Sequence, residues 1–185
     1  MTSMDVQKRM FDLAGAAAGM VVFSPAMAII AATIVLDDGG PVLFRQERLG
    51  RGRRPFTILK FRSMQDGRVT RVGRILRATG LDELPQFVNI LRGDMSAVGP
   101  RPLTEDDVLR LGWTEPRCDF RWQALPGLTG LAQLAGARSG RLSLTLDRCY
   151  LMRRSLWFDT RLVAASFAVN LLGKARVRQY WSVSR

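Results

Sequence analysis

Residues 13–36 carry no charged side chain, and no other property of this 185-residue chain restricts its fold so tightly. A helix over that stretch rises about 36 Å, enough to cross the hydrocarbon core of a bilayer, so the segment belongs in lipid. Lys8 and Arg9 precede it and Ala26-Met27-Ala28 resembles a small-residue cleavage site, the pattern of a secretory signal. The apolar run nevertheless continues to Leu36, and cleavage would leave an apolar new terminus. An uncleaved membrane helix is therefore the expectation.

Ser24-Pro25 lies near the middle of this run. Proline removes one helix hydrogen bond and clashes with the preceding turn, so a break is expected there, with the serine hydroxyl satisfying a freed carbonyl. A broken helix can still span, or it can turn back. Past Asp37 and Asp38, residues 45–77 hold eleven Arg and Lys against only Glu47 and Asp66. The positive-inside rule keeps that region on the cytoplasmic side, and it keeps Lys8 and Arg9 there too. The charge pattern thus predicts a re-entrant membrane helix over residues 1–38 and a cytoplasmic, interfacial domain over residues 39–185.

Within the second part, residues 42–46 and 56–61 read as strands joined through Gly50-Arg51-Gly52, a small hairpin. Val72, Ile75, Leu76 and Thr79 recur at helical spacing with Arg71, Arg74 and Arg77 on the adjoining face, ending at Gly80. A second amphipathic helix follows over 81–91, where Pro85 is tolerated only in the first turn. Residues 93–102 read as a loop, 104–111 as a helix, and Pro126-Gly127 with Gly130 as a turn. A helix over 143–154 leads into an apolar segment, 158–172, which is short for a span and suits interfacial packing. The fold class is mixed α/β, mostly helical, with interfacial amphipathic helices around a small catalytic domain.

The formal net charge is +12, which calls for an anionic partner: phosphate groups, acidic lipid or nucleic acid. The chain has no histidine, so the commonest general base and metal ligand are missing and any catalysis runs on carboxylates, hydroxyls or thiols. Cys118 and Cys149 form neither a CxxC motif nor a disulfide framework and read as small core residues. Asp82 and Glu83 are vicinal carboxylates at an expected helix start, where unpaired amides favour an ionised, nucleophilic aspartate. Arg74 and Arg77 nearby would neutralise a diphosphate, and the pair could share Mg2+ with it. Acidic residues also favour helix starts for purely structural reasons.

Five motifs occur in order: Lys60-Phe61-Arg62-Ser63-Met64, Leu81-Asp82-Glu83-Leu84-Pro85-Gln86, Gly93-Asp94-Met95-Ser96, Val98-Gly99-Pro100-Arg101-Pro102-Leu103 and Pro126-Gly127-Leu128-Thr129-Gly130. Together they resemble the bacterial sugar transferase family, the monotopic phosphoglycosyl transferases that start glycan and exopolysaccharide assembly, from Lys8 to Gly173. The resemblance implies that Asp82 attacks the β-phosphate of a UDP-sugar, releasing UMP and leaving a phosphosugar on the aspartate. Polyprenyl (undecaprenyl) phosphate then takes the phosphosugar. It further implies a catalytic dyad of Asp82 and Glu83 with Mg2+, a phosphate contact at Arg77 and a nucleotide-side contact at Arg101, between Pro100 and Pro102. Lys60 and Arg62 are electrostatic candidates.

Ser24-Pro25 matches the family's break in its re-entrant helix, which places the protein monotopically on the cytoplasmic face of the bacterial inner membrane. Asp147 and Asp159 fall in a family pattern, and ion pairing to arginines explains them equally well. Where the family reads Gln-Val-Asn-Gly-Arg, this chain has Gln133-Leu134-Ala135-Gly136-Ala137-Arg138, so Arg138 lies one position late and the sugar it would help select is left open. The oligomeric state is open as well, a homodimer included.

The competing reading is a non-catalytic basic membrane module that binds anionic lipid or nucleic acid. It leaves the acidic pair within the most basic half unexplained, and few aromatic residues are present for base stacking, so nucleic acid is not expected as a partner. A glycosyltransferase moving the sugar alone commonly carries an Asp-x-Asp motif, which the sequence lacks. A CDP-alcohol phosphotransferase would need several spans and a different acidic motif.

Overall fold

The computed structural model describes residues 3–172; Lys174 and the remainder of the expected 39–185 domain, including Gly173 at the end of the resemblance, lie outside the described residues. The first element, α1, runs over Ser3–Asp38 and contains Pro25. Helix continues through Ser24-Pro25 without interruption, so the expected break does not divide α1. Proline cannot donate to the Val21 carbonyl four residues back, and Ser24 Oγ donates to that carbonyl instead, at 2.8 Å. The serine therefore repairs the hydrogen bond that the proline removes.

One side of α1 is seated on the rest of the protein and the other is apolar and open. Ala16, Ile30 and Ile34 are buried, while Val21, Val22, Ile29 and Leu36 are exposed. The seat is made at both ends. Near its start, Lys8 pairs with Asp159 at 2.6 Å, Asp5 accepts from Arg154 at 2.7 Å, and buried Asp12 accepts from the Ala97 amide at 2.9 Å. At its far end, Asp38 pairs with Arg62, whose Nε also donates to the Pro41 carbonyl.

The hairpin pairs β1 (Leu43–Leu49) with β2 (Pro55–Phe61), antiparallel, in the register Phe44↔Lys60, Gln46↔Ile58 and Arg48↔Phe56. Directly opposed residues share a face, so Arg48, Ile58 and Lys60 project to the same side. A second, minimal hairpin, β3 (Met64–Gln65) with β4 (Arg68–Val69), precedes α2 (Arg71–Thr79), which Thr70 caps. The helix ends at Gly80, whose φ of 76° is the left-handed conformation that glycine adopts without strain.

The expected single helix over 81–91 is split. Residues Leu81–Glu83 form a 3-10 turn, Pro85 caps, and α3 covers only Gln86–Arg92. Buried Asn89 on α3 ties that helix to the hairpin: its Oδ1 accepts from the Leu59 amide at 3.0 Å and its Nδ2 donates to the Thr57 carbonyl at 2.7 Å. One side chain thus satisfies an edge of β2 that a third strand would otherwise cover. Arg9 of α1 closes the other end of α3, donating to the Ile90 and Leu91 carbonyls.

The stretches read as loop and turn contain two short strands, β5 (Ser96–Val98) and β6 (Gly127–Thr129), which pair in parallel. Between them lie α4 (Glu105–Arg110), closed by a Thr104–Asp107 capping box, and a 3-10 segment, Pro116–Gln123. Glycine makes the β5–β6 junction possible. A Cβ on Gly99 would collide with the Leu125 carbonyl, and one on Gly127 with the Gly99 amide. Gly127→Ala is therefore expected to destabilise the fold by about 1–3 kcal/mol, read as a lowered unfolding midpoint in detergent.

The chain finishes with α5 (Leu131–Leu134), α6 (Gly140–Arg153) and α7 (Leu156–Leu172). Four apolar clusters hold the elements together. One joins α1 to β2, α2 and the Leu81–Leu84 turn through Ile30, Ile34, Phe61, Leu76 and Leu84. A second gathers Leu103, Val108, Trp113, Cys118 and Trp122 around α4. Cys118 is buried there, as its sequence setting suggested, whereas Cys149 is only half-buried; both are free thiols.

Candidate active site

The acidic pair stands where three elements meet. Gly80 ends α2 and starts the 3-10 turn, and that turn presents Asp82, 9% exposed, and Glu83 against β2. Glu83 pairs with Lys60 of β2 at 2.8 Å. The position differs from the helix-start expectation: Asp82 precedes the first residue of α3 by four, and α3 has seven residues. Lys60, paired with Glu83, supplies a positive charge beside the turn.

Glu83 and Lys60 open onto a cavity of about 50 Å³, whose walls also include Arg48, Ile58, Gln86, Arg101, Pro102 and Gln133. Three cations from separate parts of the sequence converge there. Burial lowers the Arg48 pKa, Asp107 opposes this and the Arg101 guanidinium adds to it. Arg48 and Arg101 thus repel each other across one small space, the arrangement an incoming anion relieves. Arg48 donates to Asp107 at 3.2 Å and to Gln46 at 2.6 Å, which fixes its side chain.

Arg101 is placed by its own backbone. Its carbonyl accepts from Arg121, a guanidinium only 3% exposed that lies between the Trp113 and Trp122 rings, each centroid 5.2 Å away. Asp147 completes the arrangement, pairing with Arg121 Nε at 2.8 Å. Pro100 and Pro102 are buried, and the Pro100 carbonyl accepts from the Gly127 amide at 2.9 Å.

The sequence candidates therefore divide. Lys60, Glu83, Arg101 and Pro102 line the cavity. Asp82 adjoins Glu83 in the chain, and neither it nor Pro100 is among the lining residues. Arg62 is engaged at the end of α1, and Arg74, Arg77 and Arg138 are exposed and line neither of the described cavities. Asp147 and Asp159 are ion-paired, to Arg121 and Lys8, with Tyr150 also donating to Asp159 at 3.0 Å. Sequence reasoning missed Arg48, Gln133 and Arg121. Arg48 lies just beyond the predicted strand 42–46, and the observed register puts it on the Lys60 face; Gln133 begins the stretch that ends in the shifted Arg138, and Arg121 carries no signal.

A larger, open cavity of about 640 Å³ lies elsewhere, between the end of α1 and the β3–β4 hairpin, with Asp37, Asp66, Arg68 and Arg71 in its walls. Its charges are mixed and it touches none of the motif carboxylates. Among the described residues no group of three or more Cys, Asp or Glu is placed to hold a metal by itself.

Residues 3–173 match the family model of the bacterial sugar transferases. The UDP-glucose:undecaprenyl-phosphate glucose-1-phosphate transferase of Caulobacter vibrioides is 44% identical over 184 residues, covering 87% of this chain and 68% of that protein. The UDP-N-acetylgalactosamine-undecaprenyl-phosphate N-acetylgalactosaminephosphotransferase of Aeromonas hydrophila is 40% identical, covering 90% of this chain and 44% of its own length. The exopolysaccharide production protein ExoY of Rhizobium meliloti is 35% identical, with 84% and 81% covered. The chain belongs to the bacterial sugar transferase family. It spans less than half the length of the Aeromonas protein, and the names of the Caulobacter and Aeromonas proteins specify different sugars.

Proposed function

We propose that this chain is a phosphoglycosyl transferase, moving a sugar 1-phosphate from a UDP-sugar to polyprenyl phosphate at the cytoplasmic face of the inner membrane. The observation that carries this reading is the buried Asp82 next to Glu83, which lines a cavity together with Lys60, Arg48 and Arg101. A lone basic surface would bind anions without needing a carboxylate pair in its midst.

In the proposed reaction a carboxylate oxygen of Asp82 attacks the β-phosphorus, and the bond from that phosphorus to the bridging oxygen breaks. UMP leaves with the bridging oxygen. An oxygen of polyprenyl phosphate then attacks the same phosphorus and the bond to Asp82 breaks, restoring the carboxylate. Lys60 and Arg101 offset charge on the diphosphate, and Glu83, held by Lys60, turns its carboxylate toward the same space. Mg2+, held by Asp82 and Glu83, would lessen repulsion between carboxylate and phosphate.

Membrane association follows from α1, long and apolar enough to cross a bilayer, with 11% of its most apolar window buried. Its polar anchors support the re-entrant topology. Asp5 and Lys8 at one end and Asp38 at the other all bind the same body, so a helix crossing the bilayer would have to drag one set of charged contacts through lipid.

The test is UMP release by the purified chain from UDP-glucose, UDP-galactose and UDP-N-acetylgalactosamine, with Mg2+ and undecaprenyl phosphate. One donor is expected to be favoured, and Glu83→Ala to lower its kcat/KM on the order of 100-fold. Folded protein that releases UMP from none of them, or equal activity in Glu83→Ala, would count against the reading.

A further inference from the structure

Gln86, the first residue of α3, is only 2% exposed. The other buried amide of that helix is fully engaged: Asn89 accepts from the Leu59 amide and donates to the Thr57 carbonyl and to Asp94. The Gln86 side chain has no hydrogen-bond partner among the described residues. It is not sealed off either. The polar atoms that lack both a partner and accessible surface are Arg48 Nε, Trp122 Nε1 and Gln133 Oε1, and neither end of the Gln86 amide is among them. The residue opens instead onto the cavity whose wall it shares with Glu83, Lys60 and Arg101. Burying an uncommitted amide works against the fold, and an apolar side chain of its size would cost nothing or stabilise. A residue kept at that cost is explained by a ligand that completes it.

The surroundings indicate which part of the ligand it meets. Leu84 and Pro85 both have right-handed helical backbones, so the turn that carries Asp82 and Glu83 continues into α3 with the same hand. Gln86 therefore follows the acidic pair by one turn, and Glu83, three residues back, lines the same cavity. Arg48, Lys60 and Arg101 make that space positive, so the phosphates are the part of a sugar nucleotide it draws in. Phosphoryl oxygens accept hydrogen bonds, and an amide with no protein partner is free to turn its NH2 toward them.

We infer that Gln86 is a substrate-binding residue, donating through Nε2 to a phosphoryl oxygen of the sugar-nucleotide donor as Asp82 attacks. The inference rests on the phosphoglycosyl transferase reading and adds to it an uncharged donor whose direction is fixed by α3, beside cations that act mainly through charge.

The experiment compares wild type, Gln86→Met and Gln86→Glu as full chains in detergent. Gln86→Met keeps the length of the side chain without its polar end. It should hold the wild-type unfolding midpoint and lose about 100-fold in kcat/KM for UMP release. Gln86→Glu removes the N–H donor and sets a negative charge toward the phosphates, so its loss should be larger. The donors are the UDP-sugar that wild type uses best and its 2-, 3-, 4- and 6-deoxy analogues. All of them carry the same diphosphate, so Gln86→Met should lose the same factor on each.

A loss that disappears for one deoxy analogue would show the amide reading that hydroxyl, and would overturn the assignment to phosphate. Activity per folded molecule equal to wild type in Gln86→Met would overturn the proposal altogether. Should Gln86→Met not fold, Gln86→Glu carries the same test, and equal activity there has the same meaning. Folded wild type that releases UMP from no donor removes the transferase reading itself, an outcome visible before any variant is compared.

Discussion

Asp82→Asn is expected to abolish UMP release, a loss of at least about 10⁴-fold in kcat/KM, and with it any covalent phosphosugar on the protein. The substitution keeps the size of a side chain that is only 9% exposed, so packing of the turn between α2 and α3 is preserved. What it removes is the nucleophilic carboxylate oxygen. Intact-protein mass spectrometry separates this from a general loss of binding. Wild type mixed with donor in the absence of lipid should gain the mass of one sugar phosphate, and Asp82→Asn should gain nothing. Turnover that survives the substitution would mean that the acceptor attacks the donor directly and that Asp82 serves another purpose.

The second large effect concerns stability. Asp147→Asn is expected to cost about 3–5 kcal/mol, because it leaves the Arg121 guanidinium buried between two tryptophans without its counter-charge. Burial raises the Asp147 pKa against the opposing pull of Arg121, so desolvation outweighs attraction and the intact pair adds little net stability. Breaking it is another matter. Chemical unfolding in detergent should therefore rank Asp147→Asn below wild type, with Asp147→Leu combined with Arg121→Met recovering much of the loss. The double variant should still be impaired in UMP release, since the Arg101 carbonyl loses the donor that holds it.

The elements that could be read from the chain are those whose pattern repeats. The hairpin announced itself through strands on either side of Gly50-Arg51-Gly52, and α2 through apolar spacing ended by Gly80, and both stand close to where the pattern put them. Strands β5 and β6 are three residues each, too short for alternation to show, and their Gly and Pro content reads as loop. The glycines that looked like turn formers are there to let two backbones touch. Helix α3 was drawn too long for a similar reason. Leu81 and Leu84 keep helical spacing, yet Gly80 and Pro85 confine Leu81–Glu83 to a 3-10 turn.

The site was legible only in part. Asp82, Glu83, Lys60 and Arg101 lie within short motifs, so local sequence exposes them. Arg48 could have been found by carrying the hairpin register one step further, since Arg48 and Lys60 occupy one face. Arg121 joins the site through tertiary packing alone, and Gln133 stands at the start of the stretch read only for its shifted Arg138. Arg77, on the charged face near the carboxylates in sequence, is exposed and outside the cavity walls.

The ties that hold the start of α1 carry a consequence for how the protein is made. Arg154 meets Asp5 across 149 residues, and Asp159 meets Lys8 across 151. During synthesis the apolar helix emerges before the partners of its leading charges, which follow about 150 residues behind it. Until then the helix must settle in lipid held by its trailing end, where Asp38 needs only Arg62. The latch thus waits on synthesis through residue 159: a ribosome that stalls before residue 154 leaves a fragment with its acidic pair already translated and the start of α1 unsecured.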